Sequence, residues 1–233
     1  MKKDEISNPK KNAGVFAAQD IADNTFLGLG TGSTAFYFIE EIGRRLKEGS
    51  LKNIKAVSSS FSTSILAQEK GIPILQMDQV SEIDIYVDGA DEVDPQGHLI
   101  KGRGGAMVRE KIIAASAAQF WVIVDESKLV PHLGTNFPVP IEVLPFAYKV
   151  VEKRITQLGV TPTLRQAVSK DGPVVTDQGN FILDATFSTQ QDFTKLSTII
   201  KQIPGVLDHG IFIHLASKLI IGKEEGTESR TLR

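Results

Sequence analysis

Short apolar runs alternate with helix-length segments through the first half of this chain. That alternation limits the possible fold more than any other feature. Phe26 to Leu29, Ile54 to Val57, Ile83 to Val87 and Trp121 to Val124 each have the length and composition of a buried strand. After the first of them, Ala35, Phe38, Ile39, Ile42 and Leu46 recur at helical spacing, and Gly49 supplies a stop. A second helix is expected from the serines at 58–60 to about Lys70, and a third over Met107 to Gln119. Ile72 to Leu75 is one more short apolar run. Strands that alternate with helices build a parallel sheet covered on both faces. The expected class is α/β, with a Rossmann-like, mostly parallel sheet.

The character changes near Pro131, where Pro138, Pro140 and Pro145 punctuate the chain. Helices are expected over Ala147 to Leu158 and Gln190 to Gln202, with a strand near Thr163 to Gln166. A hairpin is expected to pair Val174-Val175 with Phe181 to Leu183 across Asp177-Gln178-Gly179-Asn180. This order predicts a small ferredoxin-like α+β domain over 132–206. Residues 1–131, with part of 207–233, would form the larger domain. Ile211 to His214 and Leu219 to Ile221 read as strands of either domain, and the polar tail from Lys223 reads as a fraying end.

The bulk composition narrows the function. With 233 residues, 41% of them hydrophobic, the chain has enough apolar material for a large core. A net charge of −2 without a basic stripe argues against a nucleic-acid partner. The absence of cysteine removes disulfides, thiolate metal sites and cysteine nucleophiles together. The N-terminus, Met1 to Glu5, is charged, and no run approaches the ~18 apolar residues of a membrane span. A cytoplasmic protein is the default expectation.

Two stretches carry chemistry. Gly28-Leu29-Gly30-Thr31-Gly32-Ser33-Thr34 lies between a strand and a helix, where free N–H groups and the macrodipole attract anions. A Walker loop would end in Gly-Lys-Ser/Thr, which is absent. A dinucleotide fingerprint would have glycine at Ser33 and an acid after the second strand, where Ser58-Ser59-Ser60 stand instead. A phosphate monoester is the favoured ligand; a capped glycine turn with no ligand is the plain alternative. The second stretch runs from Asp88-Gly89-Ala90-Asp91-Glu92 through Lys101-Gly102-Arg103-Gly104-Gly105 to Glu110. Taken alone, Asp88 and Asp91 are turn-forming aspartates, Lys101 a loop cation and Glu110 a first-turn glutamate. Together, carboxylates beside a lysine suit proton transfer next to a carbonyl.

Lys128, after Val124-Asp125-Glu126-Ser127, is either a phosphate contact or a solvated cation, and Lys10 and Lys11 are weaker candidates. His98, His132, His209 and His214 show no metal-ligand spacing, which argues against zinc. The acidic groups are of a kind that holds Mg²⁺, but Lys101 among them is the simpler counter-charge, so no metal site is expected.

The Gly28–Thr34 loop, the Asp88–Glu92 block, Lys101 through Arg109-Glu110-Lys111, Asp125-Glu126-Ser127-Lys128 and Phe137 to Val143 together resemble type A ribose-5-phosphate isomerase. The resemblance spans nearly the whole chain beyond a short N-terminal extension. It implies interconversion of ribose 5-phosphate and ribulose 5-phosphate through an enediolate, in the non-oxidative branch of the pentose phosphate pathway, without metal or organic cofactor. It implies that Glu110 moves the proton between C2 and C1, that Lys101 and Asp88 handle the oxygens, and that Asp91 lies beside them. It implies substrate contacts from Gly30, Thr31, Gly32, Ser33, Thr34, Lys128 and Lys10, and assembly as a homodimer or homotetramer. Arg103 departs from the pattern, which has glycine there in many members.

The chemistry matches the residues. Proton abstraction beside a carbonyl leaves an oxyanion, and a donor aimed at it is worth roughly 3–4 kcal/mol. Burial and the aspartates would raise the pKa of Glu110, whereas Lys101 and the helix N-terminus would lower it. Rival readings are a hexosamine-phosphate deaminase, or another phosphosugar isomerase of related fold, and a non-catalytic sugar-phosphate sensor. The deaminase is disfavoured by the lack of a histidine near Asp88, and the sensor by the lack of length for a DNA-binding helix-turn-helix. An NAD-dependent oxidoreductase would lack its acidic ribose anchor.

Overall fold

The computed structural model describes residues 8–80 and 82–232, so the charged segment Met1 to Glu5 lies outside them. In chain order it begins with α1 (Pro9–Gln19), β1 (Phe26–Leu29), α2 (Ser33–Lys47), β2 (Lys55–Ser58), α3 (Phe61–Glu69) and β3 (Ile83–Asp88). Next come β4 (Glu92–Val93), β5 (Leu99–Ile100), α4 (Met107–Ser116), β6 (Ala117–Asp125) and β7 (Val139–Val143). Then follow α5 (Tyr148–Thr156), β8 (Thr163–Leu164), β9 (Phe181–Ala185) and α6 (Phe193–Lys201). The chain closes with β10 (Val206–His209), β11 (Ile211–Phe212), β12 (Lys218–Gly222) and β13 (Thr227–Thr231).

These elements form two compact units. One holds the described residues of Met1–Gly89, Ile113–Lys128 and Ala216–Arg233; the other holds Ala90–Ile112 and Leu129–Leu215. The expected division places 90–112 with the larger unit. In the structure β4 and β5 instead pair with β11 in a three-stranded sheet, which draws that segment into the second unit.

The first unit is a six-stranded sheet of order β13-β12-β6-β3-β1-β2, parallel except for β13. Leu29 registers with Ser58 on one side and Val87 on the other. The loops after β1, β2 and β3 therefore leave the same edge, where open α/β sheets bind ligands. Phe38, Ile39 and Ile42 of α2 bury their stripe beside Leu27, Leu29 and Val87. Truncating such a residue, as in Ile42→Ala, is expected to destabilise by about 2–5 kcal/mol. Helix α1 escaped the periodicity because its buried face is built from Ala13, Ala17 and Ala18 rather than large apolar residues. Pro9 opens it and Asn8 caps it, accepting from the Lys11 N–H at 3.2 Å.

The second unit contains an antiparallel sheet of order β10-β7-β9-β8 crossed by α5 and α6, the ferredoxin-like arrangement. Its core joins Ile141 and Val143 to Val151, Ile155, Leu196 and Ile200.

Four local expectations change. Val174-Val175 does not pair with β9, because β8 and β7 occupy both edges of that strand; Val174 N–H donates to the Arg165 carbonyl at 2.8 Å instead. Ile72 to Leu75 makes only an isolated bridge, Ile74 to Ala56. Helix α4 ends at Ser116 and Ala117 to Phe120 already belong to β6. The polar tail is ordered as β13, whose Arg230 and Glu228 face each other in an ion pair at 2.6 Å.

Candidate active site

The residues singled out in the sequence fall in both units and are described within each. In the first, β1 ends against the tip of β3. A Cβ on Gly30 would lie 2.1 Å from Asp88 Oδ1, so only glycine lets the two strand ends approach this closely. Asp88 is fully buried. Its Oδ1 accepts from the N–H of Thr31 at 3.0 Å and of Gly89 at 2.7 Å, and the Tyr86 hydroxyl donates to Oδ2. Tyr86 is itself stacked on Phe120, with ring centroids 4.8 Å apart. The carboxylate is thus held at a single orientation.

Thr31 is occupied with bracing this loop. Its hydroxyl lies 2.8 Å from the hydroxyls of Ser59 and Ser60 and 3.0 Å from that of Thr63. Thr63 in turn donates to the Gly30 carbonyl at 2.8 Å. The serines that replace a ribose-binding acid hold the loop from beneath.

Beyond the loop, α2 begins at Ser33 with Gly32 as a cap that offers no side chain. The N–H groups of its first turn have no acceptor within the helix, and the dipole favours an anion there. An open groove of about 1290 Å³ runs over this end, lined among others by Lys10, Thr31, Ser33, Asp125, Lys128 and Lys223. Ser33 is exposed to it, while Thr34 is buried. Lys10 and Lys128, far apart in sequence, therefore share one groove. Lys223 was missed because it sits in the polar tail. Its neighbour Gly222 registers with Asp125, so β12 delivers it beside the Lys128 loop. Glu228 at 2.8 Å raises its pKa.

In the second unit, Glu110 occupies the first turn of α4, its N–H donating to the Ala106 carbonyl at 2.9 Å. Lys101 follows β5. Both are deeply buried, at 4% and 3% exposure, and Lys101 Nζ lies 3.4 Å from Glu110 Oε2. Burying two such groups is costly unless they are paired, and the fold sets them against each other. Asp91 acts on the Lys101 loop: its Oδ2 accepts from the Arg103 N–H at 2.9 Å, and its own N–H donates to the Ile100 carbonyl at 2.8 Å. The Arg103 side chain is exposed, its guanidinium 6.0 Å from the Phe137 ring centroid, and its carbonyl accepts from Arg165 at 2.9 Å. Glu92, part of the same acidic block, is fully buried and accepts from the N–H groups of Gly134, Asn136 and Phe137, which fixes that loop.

Among the described residues, no group of three or more histidine, cysteine, aspartate or glutamate residues is arranged to hold a metal. The histidines are less scattered than their spacing implies. His98 Nε2 and His214 Nδ1 lie 3.4 Å apart, and His98 Nδ1 is 3.2 Å from Asp94. His209 is buried, and desolvation pushes its pKa down to about 3. No helix of the described residues is long and apolar enough to cross a membrane.

A buried carboxylate against an ammonium can take a proton from carbon and offset the charge left on oxygen. A groove that brings lysines to a helix N-terminus can hold a phosphate. The profile of ribose 5-phosphate isomerase A (phosphoriboisomerase A) matches residues 55–226 of the chain. The chain belongs to the ribose 5-phosphate isomerase A family. It is 48% identical over 223 residues to ribose-5-phosphate isomerase A of Thermosynechococcus vestitus, spanning 96% of this chain and 94% of that one. The Thermococcus kodakarensis isomerase matches equally, at 48% over 223 residues and 97% of its length. A solved D-ribose-5-phosphate isomerase in complex with phospho-erythronic acid superposes with a TM-score of 0.94 at 45% identity, covering 97% of this chain and 99% of that one. The isomerase of Methanocaldococcus jannaschii superposes with a TM-score of 0.91 at 39% identity, covering 96% and 98%. Ribose 5-phosphate isomerases A are aldose–ketose isomerases, and the chain is an enzyme of that class acting on a phosphosugar.

Proposed function

We propose that the chain interconverts D-ribose 5-phosphate and D-ribulose 5-phosphate with Glu110 as the proton-transferring base. The observation that carries this assignment is the buried Lys101–Glu110 pair, with 3.4 Å between Nζ and Oε2. The Glu110 carboxylate takes the proton from C2 of the open-chain aldose. The released electron pair forms the C1=C2 bond of the enediolate, and the carbonyl π pair moves onto O1. Glu110 then returns its proton to C1 as the O2 lone pair forms the ketone and its hydroxyl proton is passed to O1. Lys101 offsets the charge that develops on these oxygens. Asp88, with its orientation fixed by two N–H groups and a phenol, handles the oxygen-bound proton. Asp91 keeps the Lys101 loop in place through the Arg103 N–H.

The phosphate is assigned to the α2 N-terminus, with Gly30, Gly32, Ser33 and Thr34 supplying the loop and Lys10 and Lys128 the charge. Thr31 contributes by bracing that loop. Anchoring the phosphate turns remote binding energy into placement of C1 and C2. No metal or organic cofactor enters this scheme. A cytoplasmic homodimer or homotetramer completes the proposal.

The test is direct. Purified protein treated with chelator and given ribose 5-phosphate is expected to produce ketose, followed by its absorbance or by NMR. Absence of ketose from folded protein would overturn the assignment.

A further inference from the structure

Beside Glu110, the side chain of Lys111 goes into the second unit rather than to solvent. Its ammonium donates to Asp208 Oδ1 at 2.5 Å and to the His209 carbonyl at 2.6 Å, and lies 3.3 Å from His209 Nδ1. The His209 ring is set to receive it. Nε2 donates to the Ser197 carbonyl at 2.9 Å, so Nδ1 is the bare nitrogen, and it also accepts from the Ile211 N–H at 3.2 Å. All three ammonium donors are thus engaged.

The same turn holds Lys101. The Lys101 N–H donates to the Gly210 carbonyl at 2.9 Å, and the Gly210 N–H donates to the Pro140 carbonyl at 2.7 Å. A Cβ on Gly210 would lie 2.1 Å from the Lys101 carbonyl oxygen, so turn and strand are in direct contact. One further support is common to both lysines. The buried Phe212 ring has Lys111 Nζ 4.9 Å and Lys101 Nζ 5.7 Å from its centroid.

We propose that Lys111 is a positioning residue for the Lys101–Glu110 pair: its ammonium fastens the α4 turn that carries Glu110 to the His209–Gly210 turn that also fixes the Lys101 backbone. The proposal rests on the assignment of Glu110 as the base. Misplacing a reacting group by about 1 Å can lower the rate ~100-fold, so the tether sets a rate and not merely a contact.

Burial pushes the Lys111 pKa down to about 8. The charged and titratable groups around it are Asp208 and His209 of β10, Lys201 of α6 at 3.0 Å from Asp208, and Glu142 of β7 in register with Asp208. Asp208 favours the ammonium and Lys201 opposes it. Deprotonation removes the charge that pairs with Asp208 and one of the three donors, so the tether slackens above about pH 8.

The experiment compares Lys111→Met, which keeps the stem on Phe212 and removes every donor, with Lys111→Arg, which keeps a permanent charge. Expected for Lys111→Met is a kcat lower by ~10–100-fold with KM within about threefold. Lys111→Arg is expected to recover most of that rate and to move the alkaline limb of the kcat profile upward from about pH 8. A merely structural role would not move that limb. The proposal is overturned by a kcat within about threefold of the parent in Lys111→Met, or by an unchanged alkaline limb in Lys111→Arg. Should Lys111→Met not fold, the Lys111→Arg profile decides alone. Glu110→Gln in the same assay separates the two assignments. Near-normal turnover there removes the base role itself, whereas an inactive Glu110→Gln beside a fully active Lys111→Met removes only the tether.

Discussion

Gly30 and Asp88 meet so closely that a methyl group on residue 30 would sit 2.1 Å from the carboxylate. Asp88 cannot retreat, because the N–H groups of Thr31 and Gly89 and the Tyr86 hydroxyl all hold it. Gly30→Ala must therefore displace the strand end or break those bonds. The expected result is a loss of about 1–3 kcal/mol in unfolding free energy, measured by denaturant titration, together with a fall in kcat/KM. Parent-like values for both would show that the two strand ends are looser than their contact implies.

Glu110→Gln keeps the shape of the site and removes its base. The variant is expected to fold normally, to bind substrate, and to lose at least ~100-fold in kcat, measured under saturating ribose 5-phosphate. Turnover close to the parent would transfer the proton step to another group.

Ser33 and Thr31 stand two residues apart but are expected to fail differently. Ser33→Asp puts a negative charge on the groove side of the α2 N-terminus and should raise KM sharply with little change in stability. Thr31→Val removes one member of the hydroxyl cluster it forms with Ser59, Ser60 and Thr63, and should lower stability by about 0.5–1.5 kcal/mol. Thermal melts and initial-rate kinetics on both variants check this. An unchanged KM in Ser33→Asp would place the phosphate elsewhere.

The buried titratable groups make opposite contributions to stability as pH changes. His209 has a folded pKa of about 3 against 6.5 for the free side chain. Between those values the unfolded chain binds the extra proton, so this contribution to stability is lost as pH falls from about 6.5 towards 3. Burial raises the Glu142 pKa, which works the other way: its contribution is present in acid and lost as pH rises through the carboxylate range. Lys111, lowered from 10.5 to about 8, gains stability for the fold as pH rises between those values. Melting curves from pH 4 to 10 are therefore expected to show acid destabilisation that His209→Gln reduces. Loss of activity just above pH 8 should occur without unfolding.

The parallel half of the fold was legible because its strands are short apolar runs bounded by glycines and serines, and α2 carries a strong apolar stripe. Helix α1 was not, since alanines pack closely without producing a periodic signal. Strand β13 was hidden by polar residues, which an edge strand tolerates on its exposed face. Of the candidate site, the grouping of Lys101 with Glu110 could be anticipated from motif order, whereas Lys10 and Lys128 were weak candidates apart from the family resemblance. Lys111 could not: its partners Asp208 and His209 lie 97 and 98 residues away, and nothing local marks the meeting. The His98–His214 contact, across 116 residues, was invisible for the same reason.

The serines after β2 stand where a cofactor-binding relative of this scaffold would carry its ribose-gripping acid. Here they are structural members, sharing one knot of hydroxyls with Thr31 and Thr63. Grafting an acid at either position would unravel the cradle before it could recruit a nucleotide. An engineer seeking a dehydrogenase from this frame would have to rebuild the first turn of the sheet edge, because its sugar-phosphate commitment is written into the wall as well as the opening.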